Sequence, residues 1–359
     1  MTTATLRVQN WVPYMYKEAL VFCPGYNTCM KSALQSLGQF LAMTKLSQHV
    51  YPFVFVWPGS KNVGFSLASK IAASDINQQN MLKLVKGLGA AGIDKVHFMT
   101  HSMGAQTLLG AFRDKYDENG KCIGRSDVSM CFQLDPAFDD AEGPAGGKPQ
   151  QSTDQMICKS ITMLNPDFPV KAFVDRAFLS IRRVCQTITL VGDRNDRALW
   201  WSSFCMGTFP HFGYEFPEVL RPTVAPYKQT KWALMERTGR SIDKLYFTAA
   251  EGQQYHDGGN DDAFRRQLFN KAESFDFSGR TKDANNDNRF WLDMDVIDMT
   301  GLDTNIKGMR HSGFSLNGML LKDLAELLSS GNRAIKRSTL LFREGNIFSY
   351  AHAPAFVVQ

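Results

Sequence analysis

Residues 95–112 read KVHFMTHSMGAQTLLGAF: an apolar run rich in strand formers, a serine, then a segment of helical composition. A strand over VHFMT and a helix over about Met103 to Arg113 leave Ser102 on the turn between them. Ser-x-Gly alone is a weak pattern, and the chain repeats it in LQSLG (34–38) and LSSGN (328–332), where it falls within or at the end of helical patterns. Only THSMG (100–104) stands at a strand-to-helix junction, where free backbone N–H groups of the helix start face developing negative charge.

The strand–turn–helix unit recurs on both sides. ALVFCP (19–24) breaks at Pro24-Gly25 and is followed by helical spacing of Leu34, Leu37, Phe40 and Leu41 within about Thr28 to Met43. YPFVFVW (51–57) ends at Pro58-Gly59, with a helix expected from Asp75 to Leu88. Further strands are expected at VSMCFQL (128–134), VCQTITLV (184–191) and FWLDMDVIDM (290–299), and a helix at LNGMLLKDLAELL (316–328). Wholly apolar strands alternating with helices predict an α/β fold, a mainly parallel sheet with helices on both faces. The acids alternating along FWLDMDVIDM predict a strand nearer the sheet edge.

The organisation expected is a core of residues 1–204 and 289–330, a mixed aromatic insertion or lid-like segment at 205–288, and a C-terminal extension at 331–359. That last segment, GNRAIKRSTLLFREGNIFSYAHAPAFVVQ, is expected to pack as an extra strand or loop.

Composition narrows the class. With 359 residues, 44% hydrophobic and 21% charged, the chain holds enough apolar material for a large core. Its 40 basic and 35 acidic residues are dispersed, which argues against a nucleic-acid partner. The seven cysteines lack CxxC or Cys/His spacing and read as reduced, packed thiols. The N-terminal residues have no secretory signature and no apolar run reaches about 18 residues, so the expectation is a cytoplasmic protein without a transmembrane segment.

A serine hydroxyl becomes a useful nucleophile only with a base, an acid to hold that base, and donors for the oxyanion. Gly104 supplies the small residue an elbow wants two positions after the serine, while Thr100 stands where glycine is usual two positions before. One oxyanion donor is expected from Met103 N–H. The other comes from the loop FCPGYN, where Pro24 has no N–H and leaves Gly25, Tyr26 or Asn27.

Together these motifs resemble the α/β-hydrolase superfamily, in particular a bacterial branch of α/β hydrolases of unknown function. The carriers are Pro24-Gly25-Tyr26-Asn27, Trp57-Pro58, Thr100-His101-Ser102-Met103-Gly104, Asn195-Asp196-Arg197-Ala198-Leu199 and His311-Ser312, over about residues 19–204 and 290–328. The chain departs from that branch in having Pro24 where histidine is usual. The resemblance implies the α/β-hydrolase fold and a chain order of Ser, then Asp or Glu, then His, each after a strand.

Asp196, in the shared segment after VCQTITLV, is the expected acid, with Asp135 in QLDPAF as the alternative and Asp193 behind it. Of the seven histidines, His311 is the expected base, following the last expected strand by a loop long enough to return toward Ser102. His97 lies in a strand and His101 adjoins the serine. His49 comes early, His211 and His256 fall in the insertion, and His352 in the tail.

The expected chemistry is hydrolysis of a small-molecule or lipid ester through an acyl-enzyme on Ser102, with no cofactor and no metal. HDGGNDD (256–262) and DANNDN (283–288) lack the spacing of a calcium loop. The reading of a different class is a catalytically inactive interaction or scaffolding protein on the same fold.

Overall fold

Strand β1, Glu18–Cys23, buries Ala19, Val21 and Cys23 against one hydrophobic cluster and Leu20 and Phe22 against another. Alternate side chains of a strand point to opposite faces, so a strand buried at nearly every position needs a layer on each side. The structure is a computed structural model that describes residues 17–46, 50–59, 64–116, 122–135, 155–208, 236–248, 289–302, 311 and 317–350. It supplies both layers.

In chain order the strands are β1, β2 (Val50–Val54), β3 (Lys95–His101), the pair β4 (Lys115–Tyr116) and β5 (Cys122–Gly124), β6 (Ile157–Leu164) and β7 (Cys185–Gly192). Then come β8 (Tyr246–Thr248), β9 (Arg289–Trp291), β10 (Asp295–Asp298), β11 (Leu340–Glu344) and β12 (Ile347–Tyr350). Eight of them form one sheet in the order β2-β1-β3-β6-β7-β10-β12-β11, parallel throughout except for the antiparallel β11–β12 pair. This is the mainly parallel sheet expected from the alternation of strands and helices, and it is of the α/β-hydrolase type that the resemblance implies. Helices α1 (Met30–Thr44) and α8 (Gly318–Ser330) pack on one face through Leu37, Phe40, Leu324 and Leu327. On the other face lie α2 (Phe65–Ala72), α3 (Asp75–Ala90), α4 (Gly104–Ala111) and the segment of α5 (Val170–Ala172), a π turn (Phe173–Ala177) and α6 (Phe178–Arg182).

The strand order reverses direction between β1 and β3, and in such sheets ligands bind beyond the C-terminal strand ends at that point. The register makes the location specific. Cys23 pairs with Thr100, His101 with Leu164, Leu164 with Val191, and Gly192 with Asp298. One or two residues beyond these pairs, Gly25, Ser102, Asn165 and Asp193 leave the sheet side by side.

Two expectations are corrected. VSMCFQL is no strand: Ser126 Oγ accepts from Ser129 N at 2.9 Å, favouring a short 3-10 turn over Ser129–Cys131, and Phe132 makes one isolated bridge to Met156. The strand beside β3 is β6, whose polar Ser160 and Thr162 interrupt the apolar run. Burial is tolerable for Ser160 because its Oγ lies 2.8 Å from His97 Nδ1.

FWLDMDVIDM is also two elements, β9 paired with β8, and β10, which lies inside the sheet between β7 and β12. Its acids are covered by arginines. Asp293 Oδ2 accepts from Arg182 Nη2 at 2.7 Å, Asp293 Oδ1 from Arg333 Nη1 at 2.8 Å, and Asp295 Oδ1 from Arg333 Nε at 2.9 Å. Asp295 Oδ2 further accepts the Ala334 N–H at 2.8 Å, which ties the segment after α8 to the sheet before β11 and β12 join it.

Candidate active site

Ser102 sits between β3 and α4 at φ 51°, a left-handed conformation uncommon outside glycine and costly for serine. The backbone around it holds that turn. Ser102 N donates to Leu164 O at 2.9 Å, and Ser102 O accepts from Asp167 N and Ala105 N, each at 3.1 Å. Two glycines make room for it. A Cβ on Gly104 would lie 2.4 Å from Cys23 O and 2.7 Å from Pro24 O, and a Cβ on Gly25 would lie 2.8 Å from Ser102 Cβ. The loop after β1 and the elbow after β3 are therefore in backbone contact, and no side chain fits between them.

Trp57 completes that loop: its Nε1 donates to Pro24 O at 2.8 Å, and Asn27 N donates to Gly59 O at 2.9 Å. Pro24 thus contributes an accepting carbonyl where it lacks a donor. Thr100, the bulky residue beneath the elbow, is completely buried, and its Oγ1 has no hydrogen-bond partner among the described residues.

Across the row, Asp196 immediately precedes α7 (Arg197–Thr208) and its Oδ1 accepts the Leu199 N–H at 2.9 Å, an N-cap bond. The other oxygen, Oδ2, lies 2.6 Å from His311 Nδ1. Since a carboxylate only accepts, Nδ1 carries the proton and Nε2 presents its lone pair. Asn165 Nδ2 donates to the same Asp196 Oδ2 at 2.9 Å, and Asp196 is fully buried.

The other carboxylates are engaged elsewhere. Asp135 pairs with the buried guanidinium of Arg182, and Asp193 Oδ1 accepts the Asn195 N–H at 2.8 Å in an Asx turn. No hydrogen bond joins Ser102 Oγ to His311 Nε2 among the described residues; catalytic contacts of this kind are often long without substrate and tighten in the complex.

Three contributors escape a reading of the sequence. Asn165, at φ 42°, follows a strand whose polar residues concealed it. His101, which adjoins Ser102 in sequence, donates Nε2–H to His311 O at 2.8 Å, with the two ring centroids 4.8 Å apart. Burial first, and then repulsion from His311, push the His101 imidazole down to about 3, against the opposing effect of that carbonyl bond, so the ring is neutral. The third is the pair of Asp167 and the fully buried Arg237, whose Nε lies 3.0 Å from Asp167 Oδ1, bracing the residue that caps Ser102 O.

A second serine–histidine–carboxylate line, Ser160–His97–Glu18, lies near the N-terminal ends of the central strands. Glu18 Oε2 is 3.6 Å from His97 Nε2, beyond hydrogen-bond distance, and the nearness of His97, ahead of that of Lys95, holds Glu18 down at about 2 against burial. His97 and Ser160 are each 1% exposed, so no substrate reaches them.

A family model described as "Alpha/beta hydrolase of unknown function (DUF900)" matches residues 7–231, well over half of the 359-residue chain. The chain belongs to this family. No curated protein matches it. The matched span of this α/β hydrolase carries the elbow, the loop after β1 and Asp196, and ends before His311.

Among the described residues of the hydrolase no helix is long and apolar enough to cross a membrane, and no cluster of His, Cys, Asp or Glu is arranged for a metal ion. The segments HDGGNDD and DANNDN, with His211, His256 and His352, lie outside the described residues. A cavity of about 550 Å³, lined by Arg194, Asp298, Leu302, Arg343 and Tyr350, opens beside β10 and β12, and neither Ser102 nor His311 lines it.

Proposed function

We propose that this α/β hydrolase is a serine esterase, cleaving carboxylic esters through Ser102, His311 and Asp196. The observation that carries the reading is the 2.6 Å bond between His311 Nδ1 and Asp196 Oδ2, made at the same strand-end row as the left-handed turn of Ser102. That bond sets the tautomer in which Nε2 is free to take a proton.

The reaction then runs as follows. Ser102 Oγ attacks the ester carbonyl carbon as its proton passes to His311 Nε2, and the N–H groups of Met103 and of Gly25 or Tyr26 stabilise the oxyanion. Collapse breaks the C–O bond, and His311 returns the proton to the departing alkoxide, leaving an alcohol and an acyl group on Ser102. Water attacks that acyl carbon while His311 takes one of its protons. The second collapse gives the carboxylic acid, and the proton returns to Ser102 Oγ. Asp196 stays ionised and stabilises the imidazolium in both halves.

A chain-length series of p-nitrophenyl esters tests the reading. The wild type is expected to release p-nitrophenol with a preference for one range of acyl length, and Ser102→Ala to lose up to ~10⁶ in kcat. Equal rates for the two proteins would overturn it.

A further inference from the structure

We propose that His101 and Asn165 are positioning residues that hold His311 by its own main-chain carbonyl, with Asn165 gripping Asp196 at the same time. The proposal rests on the reading of His311 as the base and of Asp196 as its acid.

His311 O receives two donors, His101 Nε2–H at 2.8 Å and Asn165 Nδ2–H at 3.3 Å. The same Asn165 amide reaches Asp196 Oδ2 at 2.9 Å, the oxygen that takes His311 Nδ1–H at 2.6 Å. One amide thus spans the main chain of the base and the side chain of the acid. Both donors stand on rigid supports. His101 ends β3, paired with Leu164 of β6, and immediately precedes Ser102. Asn165 follows Leu164, and its N–H donates to Val191 O at 2.8 Å. Its left-handed backbone is a conformation that asparagine tolerates better than most residues, and it turns the amide off the strand line.

The consequence is geometric. An imidazole bonded only through Nδ1 can still swing about that bond, sweeping Nε2 through an arc. Fixing the carbonyl of the same residue to the position before the nucleophile anchors the other end of the side chain. Because the anchor is one residue from Ser102, the base and the nucleophile are referred to the same strand end. A donor is required at His101 Nε2, which the neutral ring supplies. A displacement of about 1 Å in such a group costs ~10²-fold in rate.

Two readouts separate this from the hydrolase reading. The first is the far-downfield proton resonance of His311 Nδ1–H in histidine-labelled protein, which reports the bond to Asp196 without any substrate. The second is the rate at which a fluorophosphonate labels Ser102. In His101→Ala and in Asn165→Gly the resonance is expected to vanish by solvent exchange, and labelling to slow by ~10²-fold. His101→Gln, whose amide nitrogen falls near the position of Nε2, is expected to keep the resonance and to recover labelling to within about tenfold of wild type.

Asn165→Gly retains access to the left-handed backbone and carries the test should His101→Ala not fold. Folded His101→Ala and Asn165→Gly proteins with a wild-type resonance and labelling rate would overturn the proposal. Absence of labelling in the wild type would instead remove the hydrolase reading, and the resonance would still decide whether these two residues hold His311.

Discussion

A Cβ placed on Gly25 would stand 2.8 Å from the Cβ of Ser102, closer than real Cβ atoms approach. The loop after β1 is thereby pressed against the elbow after β3 with no side chain between them, as the proposed oxyanion pocket requires. Gly25→Ala is expected to push the loop away, slowing fluorophosphonate labelling by ~10²-fold for the loss of one donor while the thermal midpoint falls only modestly. Gly104→Ala collides with the backbone carbonyls of Cys23 and Pro24 and is expected to unfold the elbow, lowering the midpoint and labelling together.

Thr100 places a branched side chain beneath the elbow, where glycine is usual. It fits, but its hydroxyl is buried with no partner among the described residues. Thr100→Val removes that polar atom at constant shape, and urea unfolding is expected to show a gain of about 1 kcal/mol with labelling retained.

The arginine–carboxylate cluster behind β10 predicts a stability effect separate from chemistry. Burial pushes the Asp293 carboxyl up, but the guanidiniums of Arg182 and Arg333 together outweigh it and hold the group below its usual range. Asp293→Asn strips both arginines of that charge and is expected to cost about 3–5 kcal/mol. Denaturant melts read this loss, and labelling at low temperature of the fraction still folded is expected to stay at the wild-type rate.

The neutral ring of His101 also leaves a signature in acid. Its imidazole is lowered from 6.5 to about 3 by burial and then by His311. The native state therefore refuses a proton that the unfolded chain accepts below 6.5, so stability is lost as pH falls from 6.5 toward 3. Glu18, held at about 2 by His97 and Lys95, adds its own loss below 4.5. Comparing urea midpoints of wild type and His101→Gln at pH 7 and pH 4.5 cancels the Glu18 part, and the wild type is expected to drop further than the variant.

Periodicity and turn chemistry made much of this architecture legible. Apolar runs ending in Pro-Gly or at Ser102 located β1, β2 and β3, and regular spacing located α1 and α3. The failures share a cause. β6 hides because Ser160 and Thr162 look solvent-facing until His97 is seen on the neighbouring strand, and β10 looks like an edge because Asp293 just before it meets Arg182 of α6 and its own Asp295 meets Arg333 after α8, partners far away in sequence. Long-range pairing of polar groups has no local periodicity, so such strands are misread.

The candidate site follows the same division. Motif and order propose Ser102, Asp196 and His311, whereas Asn165 enters only once the position of β6 is known. His101 adjoins Ser102 in sequence, which keeps its ring from the hydroxyl, and only the folded chain brings that ring to His311 O.

Whether Ser102 is a nucleophile activated by His311 can be read by treating the folded protein with a fluorophosphonate and mapping the adduct by peptide mass spectrometry. One stoichiometric phosphonyl group is expected on the peptide containing Ser102, absent in Ser102→Ala and strongly slowed in His311→Ala. Folded wild-type protein that remains unmodified, or is modified equally after Ser102→Ala, would contradict it.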